Sequence, residues 1–128
     1  VNLLLDSCTL IWLASEPARL SQTATAAIDA PGSTLHVSHA SLWEIALKHG
    51  AGKLVLPQAP RLWWTEQIAK WGLIELPLTA EILLRGSELP LHHKDPFDRV
   101  ILAHALIHNL AVVTPDPAYP PYGGQVVW

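Results

Sequence analysis

The run "DPFDRVILAHALIHNLAVVTPD", residues 95–116, contains a helix start, a helix stop and a strand that ends in acid. Asp95 reads as an N-cap and Pro96 as the first helical residue, where its missing N–H costs nothing. Asn109 closes the helix, and "AVVT" (111–114) is a short apolar run of the kind that forms a buried strand. The same alternation extends in both directions. Strands are expected at "NLLLD" (2–6), "TLHVS" (34–38), "LIEL" (73–76) and "QVVW" (125–128). Helices are expected over "TLIWLAS", over 20–30 with Ser21 as N-cap and Pro31-Gly32 as stop, and over 38–50, starting at Ser38 or Ser41 and stopping at Gly50. Two more follow, at 59–72 with Pro60 near its first position and Gly72 as stop, and at 79–89 capped by Thr79. Strands alternating with helices of about ten residues predict an α/β fold, a mainly parallel sheet with helices on both faces.

The 128 residues suit one domain, spanning 1–128, and half of them are apolar, with a mean hydropathy of +0.26, which excludes disorder. No apolar run reaches the roughly 18 residues of a membrane-spanning helix. "VNLLLDSCTLIWLA" has no basic flank and is broken by Asp6, so it does not read as a signal peptide. A single cysteine, Cys8, excludes an internal disulfide. The expectation is a cytoplasmic protein without membrane association. Net charge is −3, with eight Lys and Arg against eleven Asp and Glu, which argues against a broad electrostatic grip on nucleic acid. It leaves room for a nuclease whose acidic site is neutralised by bound metal.

The carboxylates carry the chemistry. In open α/β sheets functional groups gather at the carboxyl ends of strands. Asp6 ends the first strand and Asp116 lies just past "AVVT", so both are expected at one edge. Asp98 falls in the first turn of the helix begun by Asp95, where the helix dipole favours negative charge. There it either completes a capping box, reaching back while Asp95 covers a free N–H, or lies near the core above Leu102, Ala105 and Leu106. Glu44 interrupts the apolar run "LWEIAL", either facing solvent beside Lys48 at i+4 or pointing inward. Four carboxylates at one sheet edge, with no Gly-rich phosphate loop and no Cys/His ligand cluster, suggest a hard cation, Mg²⁺ or Mn²⁺. Such ions polarise a phosphoryl oxygen and acidify water for in-line phosphodiester hydrolysis.

"LLLDSCTLIWL", "SLWEIALKHGAGKL", "LPLHHKDPFDRVILAHAL" and "LAVVTPD" together resemble PIN-domain proteins, above all the VapC-type toxins of bacterial toxin–antitoxin systems. The resemblance covers nearly the whole chain in order. It implies a three-layer α/β/α sandwich and Mg²⁺- or Mn²⁺-dependent endoribonuclease activity on RNA. It also implies a small cognate antitoxin protein as partner and a homodimer. By position Asp6, Glu44 and Asp98 match the family's first three acidic residues and Asp116 the more variable fourth. Ser7 matches a small hydroxyl residue that holds water or phosphate, and Thr114 a hydroxyl residue preceding the fourth acid; both are candidates for contact with substrate. Asp95 belongs to the subgroup's motif and is retained as a helix cap. Lys48, Lys53 and Arg99 are candidates for contact with RNA phosphate or antitoxin. The proline-rich "TPDPAYPPYGG" departs from the looser loop of relatives. Two other readings stand beside this one: a PIN nuclease of RNA maturation or repair, and a catalytically silent PIN binding module.

Other residues read more plainly. Seven histidines offer one helical pair, His104 and His108, without a third ligand; adjacent His92 and His93 have diverging side chains and read as surface or capping residues. "DSCT" resembles a phosphotransferase motif, but Cys8 replaces its second aspartate. Trp63, Trp64 and Trp71 share a helix and serve either the core or a partner groove.

Overall fold

A computed structural model describes residues 1–128. Its centre is a five-stranded sheet in which every neighbouring pair is parallel, in the order β3-β2-β1-β4-β5. The strands are β1 (Asn2–Leu5), β2 (Thr34–Ser38), β3 (Ile74–Leu76), β4 (Ala111–Val113) and β5 (Val126–Val127). Six helices connect them: α1 (Ser7–Ser15), α2 (Gln22–Asp29), α3 (His39–Gly50), α4 (Pro60–Trp71), α5 (Ala80–Glu88) and α6 (Pro96–His108). The sheet expected to be mainly parallel is wholly parallel, and residues 53–57 form neither helix nor strand. No helix is long and apolar enough to cross a membrane.

Local chemistry sets the helix ends. Ser21, Ser38, Thr79 and Asp95 each accept a backbone N–H from the first turn of the helix they precede. Of the two starts open for α3, Ser38 is the cap, and Ser41 lies inside the helix. At the other ends Gly72 and Asn109 adopt left-handed backbone, Asn109 with φ 54°, which a short polar side chain tolerates.

β1 lies at the middle of the sheet, and Leu3, Leu4 and Leu5 are fully buried. Leu3 and Leu5 face one layer with Leu35, Val37, Ala111 and Val113, packed by Leu10, Ala24, Ile45, Trp63 and Trp64. Leu4 and Val112 face the other, packed by Ile101, Leu102, Ala105 and Tyr119. A parallel strand covered on both faces must be apolar throughout, which is why "LLL" does not alternate. Trp63 and Trp64 thus belong to the core, and the tryptophan left exposed is Trp43. Chain order reverses at β1: β2 and β3 lie to one side, β4 and β5 to the other. Such a switch point opens a crevice beyond the carboxyl ends of the flanking strands.

Candidate active site

The crevice is occupied by acid. Asp6 leaves β1 and caps α1, and it is almost fully buried. Its Oδ1 accepts the Thr9 N–H at 2.8 Å and its Oδ2 the Thr114 hydroxyl at 2.5 Å. The Thr9 hydroxyl in turn donates to the Val113 carbonyl at 2.7 Å, tying the exits of β1 and β4 together. Burial raises the Asp6 carboxyl above its ordinary range, against the opposing effect of these hydrogen bonds.

Glu44 lies on α3 and is 6 % exposed, so it points inward. The expected i+4 partner is present: Lys48 Nζ donates to Oε2 at 2.7 Å, and this bond raises the lysine's pKa. Asp98, in the first turn of α6, does not reach back as a capping-box residue would. Asp95 makes the cap alone, its Oδ1 accepting the N–H groups of Phe97 and Asp98 at 2.8 and 3.3 Å. The Asp98 side chain instead accepts the Tyr119 hydroxyl at 2.5 Å. Burial pushes its carboxyl up to about 6; the Tyr119 bond opposes this, and the charges of Asp95 and Glu44 add to it. Asp116 is held by its own loop, its N–H donating to the Thr114 hydroxyl and its Oδ1 accepting the Ala118 N–H. The proline-rich segment therefore fixes this fourth acid at the crevice.

Asp6, Glu44, Asp98 and Asp116 line one cavity of about 360 Å³, together with Ser7 and Lys48. Ile11, Trp12, Ile45 and Pro115 form its apolar wall. Ser7 donates to Ser41 Oγ at 2.9 Å, which joins α1 to α3. Cys8 also lines the cavity, but burial and the charge of Asp6 push its thiol up to about 12, so it is no nucleophile.

Two residues expected to contact substrate, Arg99 and Thr114, are engaged by the chain itself. Arg99 turns away from the cavity, and its guanidinium donates to the carbonyls of Pro90, His93, Ser87 and Leu89 at 2.6–3.2 Å. Burial without a carboxylate partner forces an arginine onto backbone acceptors, and here it pins the α5–α6 connection. Thr114 is 1 % exposed and serves Asp6 and Asp116 instead of facing solvent.

His93 and Tyr119 were missed. The reading of His93 as a surface or capping residue is corrected: its side chain is 13 % exposed, and Nε2 lies 2.8 Å from Asp116 Oδ2 and 3.3 Å from Asp98 Oδ2. The ligand atoms of His93, Asp98 and Asp116 all fall within 4.8 Å of one another, a spacing that could hold a metal ion. "HHKD" signals a loop without periodicity, and nothing local says which histidine turns inward. His104 and His108 stack at 6.0 Å, and buried His104 faces the Pro77 carbonyl, so that helical pair has a packing role.

Carboxylates drawn from several elements to the switch point of a parallel sheet define an acidic α/β site of the PIN type. The PIN-domain family model matches residues 3–122, and the chain belongs to this family. It is 33 % identical over 116 residues to Ribonuclease VapC22 of Mycobacterium tuberculosis (strain ATCC 25618 / H37Rv), covering 90 % of this chain and 87 % of that protein. Its fold resembles VapBC2 from Rickettsia felis, solved bound to a DNA fragment from their promoter, with a TM-score of 0.70 and 14 % identity over 98 % of this chain and 96 % of that one. It also resembles VapBC-5 from Mycobacterium tuberculosis, a member of the VapBC family of toxin–antitoxin systems (TM-score 0.60, 20 % identity, 98 % and 93 % covered). FitAcB from Neisseria gonorrhoeae is similar too (TM-score 0.58, 19 % identity, 97 % and 95 % covered).

Proposed function

We propose that this chain is a VapC-type endoribonuclease toxin that hydrolyses RNA phosphodiester bonds with Mg²⁺ or Mn²⁺, and that a small antitoxin protein restrains it. The observation that carries the reading is the convergence of Asp6, Glu44, Asp98 and Asp116 on one cavity with a single lysine among them. The donor set is oxygen-rich, and burial holds Asp6 and Asp98 above their ordinary pKa, an electrostatic cost that a hard cation relieves. Asp6, Glu44, Asp98 and Asp116 would hold the ion. Once bound, it supplies charge for the phosphoryl oxygen and acidity for the attacking water.

The remaining work falls to the chain. Thr114 and Thr9 aim the two oxygens of Asp6, and Tyr119 aims Asp98. Lys48, its side chain half exposed beside Glu44, offers positive charge to an incoming phosphate at the cavity mouth. Ser7 lines the same cavity with its hydroxyl, and the Ile11–Trp12 wall gives ribose or base an apolar surface. The antitoxin pairing extends to this chain what is known of its VapBC neighbour, and both would act in the cytoplasm. A second copy would cover the exposed apolar side chains of Trp43, Leu83 and Leu91.

Purified chain incubated with bacterial RNA should give discrete fragments with Mg²⁺ or Mn²⁺ and none with EDTA or after Asp98→Asn. Cleavage that survives either treatment refutes the reading.

A further inference from the structure

The three-atom group of His93, Asp98 and Asp116 invites the view that His93 is a metal ligand. Its other nitrogen argues against that. Nδ1 lies 3.1 Å from the backbone nitrogen of Asp95 and accepts its N–H. A backbone amide only donates, so Nδ1 must present a lone pair. A proton there, in the alternative tautomer or in the cation, would face the Asp95 hydrogen. The ring's hydrogen therefore sits on Nε2, and a nitrogen that carries hydrogen has no lone pair to give a metal.

We infer that His93 is a positioning residue, whose Nε2–H holds Asp116 beside Asp98 for the all-oxygen cation site already proposed. Nε2 donates to Asp116 Oδ2 at 2.8 Å and lies 3.3 Å from Asp98 Oδ2, so one hydrogen faces both acids. Turning the ring over would give up both of its nitrogen hydrogen bonds, and the backbone that carries it is itself anchored. The backbone N–H of His93 donates to the Tyr122 hydroxyl at 2.7 Å, and its carbonyl accepts from Arg99 at 3.1 Å. The ring meets that of Tyr119 edge-on at 5.8 Å. The same Tyr122 hydroxyl donates to the Pro90 carbonyl, so the proline-rich loop and the loop before α6 form one clamp. A bound imidazole nitrogen would turn the site toward transition metals; an all-oxygen set keeps it suited to Mg²⁺. Donors of this kind, which orient ligands without touching the metal, typically govern 10–100-fold in metal affinity.

The inference rests on the metal-dependent reading above, and its test separates the two. Long-range ¹H–¹⁵N spectra of the full chain report which ring nitrogen carries hydrogen, with the His93 signals identified by their loss in His93→Gln. The expected result is hydrogen on Nε2 and a bare Nδ1, unchanged when Mg²⁺ is added. A bare Nε2, with or without Mg²⁺, overturns the inference. In Mg²⁺ titration calorimetry, His93→Gln, whose amide can donate from the Nε2 position, should stay within about 3-fold of the parent, whereas His93→Phe should bind roughly 10–100-fold more weakly. Equal losses in both variants overturn the donor role. Hydrogen on Nε2 in a chain that neither binds Mg²⁺ nor cleaves RNA supports the tautomer assignment and overturns the functional reading instead.

Discussion

Asp98→Asn should stabilise the metal-free protein while abolishing its cleavage of RNA. The Asp98 side chain is 19 % exposed, and burial holds its carboxyl at about 6 against an ordinary 3.8. That displacement corresponds to about 3 kcal/mol spent on folding the ionised form. Because the folded pKa lies above the unfolded one, the protonated acid favours the fold. The favourable contribution is complete below about pH 4 and is lost as pH rises through about 6. The amide keeps an oxygen for the Tyr119 hydroxyl and carries no charge, while its NH2 meets the His93 Nε2–H across 3.3 Å, a donor facing a donor that offsets part of the gain. In EDTA at pH 8 the variant should therefore exceed the parent by up to about 3 kcal/mol, or roughly 10 °C in Tm for a domain of this size. The gap should shrink to about half near pH 5. Added Mg²⁺ at a thousand times Kd should reverse the order, because the parent gains about 4.1 kcal/mol and the variant far less. Thermal unfolding across pH 5–8, with EDTA and with Mg²⁺, measures all of this. A gap that is absent at pH 8, or that does not change with pH, refutes the claim that burial of an ionised Asp98 strains the empty site.

Arg99→Lys exchanges a fork that serves four carbonyls for a single ammonium and should cost about 2–4 kcal/mol in urea unfolding. Thr114→Val keeps the volume but removes the hydroxyl between Asp6 and Asp116; Mg²⁺ titration should show affinity weakened about 10–100-fold. Trp43→Arg places charge on the exposed apolar face and should shift sedimentation from dimer to monomer while the cleavage products stay the same. A variant sedimenting like the parent would remove that face from the proposed self-association.

The helix caps at Ser21, Thr79 and Asp95, the stops at Gly72 and Asn109, and the unbroken apolar strands β1 and β4 could all be read without coordinates. Each depends on interactions within a few residues or on burial that a run of leucine or valine announces. The acids Asp6 and Asp116 were legible for a related reason: parallel topology puts strand ends on one edge, so the place of an acid follows from the strand it ends. Other outcomes depended on contacts across long separations. Glu44 and Arg99 carry charge and sit near helix ends or faces that could equally have met solvent; only packing turned one into the cavity and the other onto the backbone of its own loop. Tyr119 lies 21 residues from Asp98, and His93 lies 23 from Asp116, both in segments with no periodic signal. The elements, the parallel sense of the sheet and the acids at the strand ends were legible in the residues, because these are local or topological. Tertiary structure alone decided which histidine and which tyrosine close on those acids, because a loop residue's direction is set by whatever it packs against.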